Sequence, residues 1–286
     1  MEKMEKIRIQ KLLSESGVGS RRDIEQMILD GRILVNGEIV NTLPFFVTPR
    51  DEIMVDNEPV RKRAEAKVYV LLNKPRGTVC TARDEKGYDR PKAIDLVPNI
   101  GARVYCVGRL DEDSTGLILM TNDGELTQRL THPRFGVDKT YVARISGNLT
   151  GPEIERLKKG LFVAGGRTGP AAVKVSHRGS EESLVEVRIS EGRNRQIRRM
   201  LAQLGHKVRR LHRTSIGPLQ DKGLKIGSWR HLTPAEVTTL RKISGMEQAA
   251  PKGLPPTGHG RAAKAPALPP QLAKRLRTTP KRRKPG

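Results

Sequence analysis

A short acidic loop at residues 108–116, Gly-Arg-Leu-Asp-Glu-Asp-Ser-Thr-Gly, carries the densest set of groups that could do chemistry. It lies between two apolar runs that predict buried strands, and loops at strand ends often hold catalytic side chains. Asp111 could act as a base, serve as a nucleophile or cap a turn, which is a common use of a loop aspartate. The loop and the turn after it also contain further acids that could ligate Mg²⁺. These acids are Glu112, Asp113 and Asp123.

The densest basic patch is the stretch at residues 191–200, Glu-Gly-Arg-Asn-Arg-Gln-Ile-Arg-Arg-Met. It leads directly into a predicted helix, so it could bind phosphates from the helix start or form a solvated basic face. A two-metal nuclease would need a second acidic cluster, and the sequence contains none. The residue types alone therefore leave the choice between catalysis, metal binding and RNA contact open.

The composition points to a polyanionic partner. The chain has 286 residues, with 54 Lys and Arg against 31 Asp and Glu, a net charge of +23 and a pI of about 10.5. Residues 248–286 contain ten Lys or Arg and no acid, and the rest of the chain is basic without them. Such an excess is typical of nucleic-acid-binding proteins, but ribosomal proteins, histones and membrane-surface proteins share it.

Cysteine usage and hydropathy exclude several classes of protein. The two cysteines, Cys80 and Cys106, form no CxxC pair and lie beside no His cluster, so we expect neither a disulfide scaffold nor a zinc site. The N-terminus lacks the apolar core of a signal peptide, and no run of about 18 apolar residues predicts a membrane span. A reducing, cytoplasmic setting without membrane contact is expected.

Residues 1–62 predict a small module of two helices followed by a hairpin. Ile9, Leu12 and Leu13 recur at helical spacing. The sequence Ser-Arg-Arg-Asp at residues 20–23 resembles a capping box that begins a second helix. Asn-Gly at residues 36–37, between two short apolar runs, is the strongest short signal for a hairpin.

Residues 63–245 predict a larger α+β domain, and residues 246–286 predict a disordered basic tail. Strands are predicted at residues 68–72, 103–107, 117–120, 141–145, 172–175 and 184–189, and helices at 125–131, 152–159, 195–204 and 234–243. Because strands outnumber helices without strict alternation, we expect a mostly antiparallel sheet with flanking helices rather than a doubly wound fold.

Several of these pieces, taken in order, resemble the motifs of RNA pseudouridine synthases, in particular the RsuA/RluB branch that acts on ribosomal RNA. Residues 108–125 resemble the catalytic motif, and Asn-Lys-Pro-Arg-Gly at residues 73–77 resembles the opening strand and turn. Lys-Thr-Tyr at residues 139–141 and the stretch 191–200 match the second and third motifs. The N-terminal module is similar to the α-L RNA-binding domain of a small-subunit ribosomal protein. The resemblance therefore covers residues 7–242.

The resemblance implies that Asp111 attacks or deprotonates the ribose of a uridine and breaks the bond between the sugar and nitrogen. The freed uracil then rotates and rejoins through carbon 5. Tyr141 would stack on the base and help to remove the proton from carbon 5, although it could instead be a core aromatic. Arg198 would pair with Asp111, since the family pattern Gln-x-Arg favours it over the adjacent Arg199. The reaction requires neither a cofactor nor a metal.

The base must be flipped out of its RNA helix, and Arg109 matches the family position that fills the vacated space. Arg109 could equally be a phosphate contact. Further RNA contacts, or members of a solvated basic face, are Arg8, Lys11, Arg21, Arg22, Arg32, Arg193, Arg195 and Arg199.

A segment after the Asn-Lys-Pro motif, residues 81–91, favours a 23S ribosomal RNA substrate, because this insert resembles the large-subunit RluB type. The alternatives are 16S ribosomal RNA, as in the RsuA type, or transfer RNA. A non-catalytic ribosomal-RNA-binding assembly factor would explain the charge but not the motifs. A monomer is expected.

Overall fold

The computed structural model describes residues 6–60, 66–81 and 90–246 and divides the chain into two compact units, Met1–Ala66 and Lys67–Gly286. The predicted boundary between residues 62 and 63, the predicted tail beyond residue 246 and most of the insert at residues 81–91 lie outside the described residues. In the described ranges, every helix is too short or too polar to cross a bilayer.

The N-terminal unit has the predicted two helices and hairpin. Its helices are α1 (Ile9–Glu15) and α2 (Arg21–Leu29), and its strands are β1 (Ile7–Arg8), β2 (Ile33–Val35), β3 (Glu38–Ile39), β4 (Phe46–Val47), β5 (Ile53–Val55) and β6 (Glu58–Pro59). The backbone N–H of Asp23 donates to the Ser20 hydroxyl at 3.1 Å, and the Ser20 N–H donates to the Asp23 carboxylate at 3.0 Å. This capping box begins α2. Asn36 and Gly37 have φ of +52° and +84°, as the tight turn between β2 and β3 requires.

The second unit is built on one large, mostly antiparallel sheet, which confirms the predicted α+β class. Its strands are β7 (Tyr69–Lys74), β8 (Tyr105–Cys106), β9 (Thr115–Thr121), β10 (Lys139–Ser146), β11 (Phe162–Val163), β12 (Gly166–Arg167), β13 (Ala172–Arg178), β14 (Glu182–Ile189), β15 (Val208–Ile216), β16 (Leu219–Gln220) and β17 (Trp229–His231). Its helices are α3 (Gly124–Thr131), α4 (Gly151–Lys159), α5 (Gln196–Gln203) and α6 (Pro234–Ile243), with 3₁₀ turns at Ala93–Leu96 and Pro133–Phe135. The main path is β13-β14-β10-β15-β9-β7-β17, and the β15–β9 pair is parallel.

The hydrophobic pattern does not predict β15, although this strand of nine residues lies in the middle of the sheet. Its polar residues, including Arg209, Arg210 and Arg213, interrupt the apolar positions that a strand prediction needs. Pairing with β10 on one side and β9 on the other nevertheless buries Arg213 to 5% exposure. Tertiary pairing thus overrides a weak local signal.

The two faces of the sheet pack against different cores. On β9, Leu117 and Leu119 belong to a buried cluster with residues of α3 and α6, whereas Ile118 and Met120 belong to a second cluster. All four are 0% exposed. The strand is therefore covered on both faces, which explains its continuous apolar sequence and makes it a rigid support for the loop that precedes it.

Asp123 is a buried junction between β7, α3 and α6. Its carboxylate accepts hydrogen bonds from the Leu126 backbone N–H at 3.1 Å and from the Tyr69 hydroxyl at 2.7 Å. Arg241 lies 3.2 Å away, and Asp123 and Arg241 are 4% and 7% exposed. The hypothesis that Asp123 ligates a metal beside Asp111 is therefore wrong, because its oxygens cap a helix and neutralise a buried cation.

Replacing Asp123 by alanine is expected to lower the free energy of unfolding by about 3 kcal/mol, because it removes the carboxylate that pairs with the buried Arg241 and caps α3. Urea denaturation of the full chain measures this. Glu155→Ala is the matched control, since Glu155 forms an exposed pair with Lys158 on α4 and its loss should change stability far less. Equal losses in the two variants would contradict the junction role.

Candidate active site

The acidic loop holds Asp111 at the edge of a cleft. The backbone N–H of Leu110 donates to Sγ of Cys80 at 3.5 Å, and Leu110 is 7% exposed. The N–H of Ser114 donates to the carbonyl of Asp111 at 3.1 Å and closes a tight turn. With its neighbours anchored on both sides, Asp111 keeps its carboxylate 25% exposed.

Lys74 holds the turn at residues 75–78, which comes before the acidic loop in the chain. Its ammonium group donates to the carbonyls of Pro75 and Thr78, both at 2.9 Å, and the residue is fully buried. Burial lowers the pKa of Lys74 to about 8. The Asn-Lys-Pro motif thus places its lysine inside the fold. The turn that it holds contacts the acidic loop, since the Gly77 N–H donates to the Glu112 carbonyl at 2.8 Å.

Arg198 reaches from α5 into the acidic loop. Its Nη2 donates to the Ser114 hydroxyl at 3.3 Å and lies 3.0 Å from Oδ2 of Asp113, and its Nε lies 3.7 Å from Oδ2 of Asp111. The side chain is 11% exposed, and burial lowers the pKa of Arg198 below its ordinary value, against the opposing effect of the Asp113 charge. Asp113 therefore orients a guanidinium that places its positive charge beside Asp111.

Arg195 is a second cation beside Asp111, a role that the sequence did not suggest. Its Nη1 lies 3.3 Å from Oδ2 of Asp111 and 3.4 Å from Oδ1 of Asp113. Arg195 has φ +49°, a left-handed conformation that costs energy in a residue with a side chain. For this reason α5 begins at Gln196 rather than at residue 195 as predicted.

Arg199 and Arg193 point to a different element. Arg199 donates through Nη1 to the carbonyl of Ala164 at 2.8 Å, and Arg193 donates through Nη1 to the carbonyl of Gly165 at 3.2 Å. Both carbonyls belong to the turn between β11 and β12. The geometry thus separates the adjacent arginines, since Arg198 contacts the acidic loop and Arg199 contacts the hairpin.

Tyr141 on β10 lies both in the hydrophobic core and in the wall of the cleft. It is 8% exposed and packs in a cluster with Leu211 and Ile197. Its hydroxyl accepts a hydrogen bond from Nη1 of Arg213 at 3.4 Å. The two interpretations left open by the sequence, core aromatic and site residue, are therefore compatible.

The cleft between these residues has a volume of about 310 Å³, which is at the lower end of the range for sites that bind small molecules. Asp111, Arg195 and Tyr141 line it, together with Arg109, which is exposed. Two further lining cations, Lys139 and Arg213, were not assigned a role from the sequence. Lys139 could have been found from its position two residues before Tyr141, which places both on one face of β10.

The acids near the cleft do not form a cation site. Asp113 is held by Arg195 and Arg198, and Asp123 is buried elsewhere. Within residues 6–60, 66–81 and 90–246, no group of three or more His, Cys, Asp or Glu side chains could hold a metal ion. Arginine pairing is what organises the carboxylates of the acidic loop.

In the N-terminal unit, all five of the predicted RNA contacts are exposed. Arg8, Lys11, Arg21 and Arg22 are accessible, and the Arg8 guanidinium lies 6.0 Å from the centre of the Phe46 ring. Arg32 is also exposed, but its Nε donates to Asp56 at 2.7 Å. This pair neutralises Arg32 and leaves the other four as the stronger candidates for phosphate contact.

Comparison with known proteins assigns both units. Residues 68–203 match the RNA pseudouridylate synthase family, and residues 7–53 match the S4 domain. These matches confirm the predicted resemblance in both its catalytic and its N-terminal part.

Similar proteins extend over most of the chain. The ribosomal large subunit pseudouridine synthase B of Bacillus subtilis is 41% identical over 239 residues, which are 83% of this chain and 96% of that protein. An uncharacterized RNA pseudouridine synthase of Aquifex aeolicus is 39% identical and covers 85% of this chain and 97% of its own length. A crystal structure of a pseudouridylate synthase shares 32% identity and a TM-score of 0.59, covering 83% of this chain and 99% of that one.

Proposed function

This chain belongs to the RNA pseudouridylate synthase family, and from that premise we propose that it converts a uridine of 23S ribosomal RNA into pseudouridine with Asp111 as the catalytic carboxylate. It is an isomerase that acts on RNA. The observation that carries the assignment of Asp111 is its position at the cleft, with Arg195 at 3.3 Å and Arg198 at 3.7 Å. The two guanidinium groups fix the direction of this carboxylate, and a carboxylate can act as nucleophile or base.

In the proposed mechanism, the flipped uridine enters the cleft with its ribose at Asp111 and its base against Tyr141. Asp111 attacks carbon 1′ or removes a proton from the ribose, and the bond from carbon 1′ to N1 breaks. The uracil rotates, carbon 5 bonds to carbon 1′, and Tyr141 helps to remove the proton from carbon 5. Atoms and electrons are conserved within the nucleotide, so the mechanism uses no cofactor.

Arginine and lysine side chains on both units would hold the RNA. Arg109, exposed at the cleft, fills the space that the flipped base leaves, and Arg193, Arg195 and Arg199 lie along the start of α5. In the S4 unit, exposed cations contact phosphates and orient the RNA, whereas the shape of the RNA supplies site choice. These cations are Arg8, Lys11, Arg21, Arg22 and, if released from Asp56, Arg32.

The large-subunit assignment is supported by the names of the relatives at 41% and 37% identity in Bacillus subtilis and Pseudomonas aeruginosa, both called ribosomal large subunit pseudouridine synthase B. The segment at residues 81–91, which suggested this branch, lies mostly outside the described residues. We propose a monomer that acts in the cytoplasm on naked ribosomal RNA or on an assembly intermediate.

Pseudouridine mapping of 16S and 23S ribosomal RNA tests the substrate, in cells with and without this protein and in cells complemented with Asp111→Asn. One pseudouridine missing from 23S RNA and restored only by the intact protein is the expected result. A pseudouridine missing from 16S RNA instead would show that the substrate is the small-subunit RNA. An unchanged set of pseudouridines in both RNAs would refute a ribosomal substrate. The purified protein should stay active in a metal chelator, whereas a magnesium-dependent nuclease would not.

A further inference from the structure

Arg213 is a buried cation in the wall of the cleft, and one of its guanidinium nitrogens has no hydrogen-bond partner in the described part of the chain. Its Nε donates to the Leu117 carbonyl at 2.6 Å, and its Nη1 donates to the Tyr141 hydroxyl at 3.4 Å. Its Nη2 is buried and has no hydrogen-bond partner in the described part of the chain. An unpaired buried donor is costly, and because Arg213 lines the cleft, an acceptor oxygen of a bound molecule would satisfy it.

Lys139 places a second cation in the same wall. Burial and the charge of Arg213 lower the pKa of Lys139 to about 8, and the adjacent Asp138 opposes this effect. Asp138 itself is half exposed and lies 3.8 Å from Arg188 at the surface. Among residues 6–60, 66–81 and 90–246, neither Lys139 nor Arg213 forms an ion pair with a carboxylate. Two partly desolvated cations without a counter-ion are unfavourable in the free protein and are suited to a ligand that brings negative charge.

We propose that Arg213 and Lys139 bind the oxygens of the uracil ring and stabilise the negative charge that the ring carries while it is detached from ribose. The inference rests on the proposed function. Arg213 is directly opposite Tyr141 in the strand register, and Lys139 precedes Tyr141 by two residues on β10. All three residues line the cleft, so a base held against Tyr141 lies near both cations.

The chemistry of the bond that breaks supports this assignment. When the bond from carbon 1′ to N1 breaks, its electron pair leaves with the uracil and spreads over N1 and the two carbonyl oxygens. The ring then uses an electron pair at carbon 5 to bond to carbon 1′, and the proton lost from carbon 5 is balanced by one gained at N1. This holds whether Asp111 acts as nucleophile or as base. Fixed cations in a water-poor site are effective at stabilising such developing charge.

The depth of Arg213 favours the base over a backbone phosphate as its partner. Arg213 is 5% exposed, whereas Arg109 and Arg195 of the same cleft are exposed. A flipped nucleotide inserts its base and leaves its phosphates near the surface. The phosphates therefore stay near the exposed rim of the cleft, whereas the buried Arg213 and the partly buried Lys139 are placed for the ring.

Comparison of uridine with 5-fluorouridine RNA tests the inference, because fluorine stabilises the uracil anion without help from the protein. The full chain is incubated with 23S and 16S transcripts of both kinds, and single-turnover loss of the N-glycosidic nucleoside is measured by mass spectrometry of nuclease digests. Uridine yields its isomer, whereas the fluorinated ring has no proton at carbon 5 to lose and takes up water across carbon 6 and N1 after it rejoins the ribose. Arg213→Gln is expected to slow the uridine reaction by about 10²-fold. The factor by which this variant slows the reaction of 5-fluorouridine RNA should be at least about tenfold smaller, since the fluorinated ring needs less anion stabilisation from the protein.

Lys139→Gln should show the same dependence of the rate on the RNA used. It serves as the test if a thermal unfolding assay shows that Arg213→Gln does not fold.

Arg210→Gln is the matched control, since Arg210 lies on the same strand as Arg213 but is exposed. Its rates on both RNAs should equal those of the wild type. The inference would be overturned if the variants lost the same fraction of the rate on both RNAs, or if neither variant slowed the uridine reaction. In either case, activity of the wild-type protein would still support the proposed function. A wild-type protein that converts no uridine in either transcript, nor in ribosomal assembly intermediates purified from cells that lack it, would refute the proposed function and the inference with it.

Discussion

Replacing Asp111 by asparagine is expected to reduce pseudouridine formation by at least about 10³-fold, because the amide can neither attack nor deprotonate the ribose. The fold should survive, since Arg195 and Arg198 keep Asp113 as a partner at 3.4 and 3.0 Å. RNA affinity should stay within about threefold, because one charge adds little to a strongly basic surface. Single-turnover kinetics on a ribosomal RNA transcript and filter binding at fixed salt measure the two quantities.

Glu112→Gln is the control for this experiment. Glu112 neighbours Asp111 and carries the same charge, but it is 51% exposed and lies 3.8 Å from Arg90 rather than beside the cleft cations. Its variant should keep normal turnover. If Asp111→Asn also kept normal turnover, Asp111 would not be the catalytic carboxylate, whereas a loss in both variants would indicate that net negative charge in the loop is what matters.

Replacing Gly116 by alanine is expected to unfold the catalytic unit, with a loss on the order of 5 kcal/mol, comparable to the whole stability of a small domain. Gly116 has φ +113°, which residues with a side chain rarely adopt. A Cβ added there would lie 2.4 Å from both the backbone N and the backbone O of Arg213. Neither backbone atom can move without breaking the pairing of β9 with β15.

Circular dichroism during urea denaturation measures this loss, and soluble yield reports it if the variant cannot be purified. Gly151→Ala is the matched control, because Gly151 begins α4, a Cβ added there would meet no atom within 4 Å, and its φ lies outside the left-handed region. It should be neutral or slightly stabilising. Equal denaturation midpoints for Gly116→Ala and the wild type would show that the β9–β15 contact is more adaptable than the geometry indicates.

The elements with a strong local signal were predicted from the sequence. Helix α6 was predicted with its observed bounds, Pro234–Ile243, and the structure shows a capping box between Thr233 and Glu236 where it begins. Strand β9 was predicted as residues 117–120 and spans Thr115–Thr121, because its apolar run is continuous. By contrast, only Tyr105–Cys106 of the strand predicted at residues 103–107 pairs in the sheet.

The composition and the ordered motifs were also sufficient to identify the family and its RNA partner, and to nominate Asp111, Tyr141 and Arg198 as site residues. A motif preserves residue type and order along the chain, and those are the properties that chemistry on a fixed scaffold requires. The motif glycine at position 116 was recognised in the same way, but the reason for it was not visible in the sequence.

The tertiary structure decided why position 116 requires a glycine, and it also decided the rest of the site. Strand β15 inserts between β10 and β9, which brings the backbone of Arg213 against Gly116 and its side chain against Tyr141. The left-handed backbone of Arg195 directs a second cation to Asp111. Local sequence could not predict either, because an arginine-rich strand is buried only by pairing on both edges, and that pairing joins residues about a hundred positions apart.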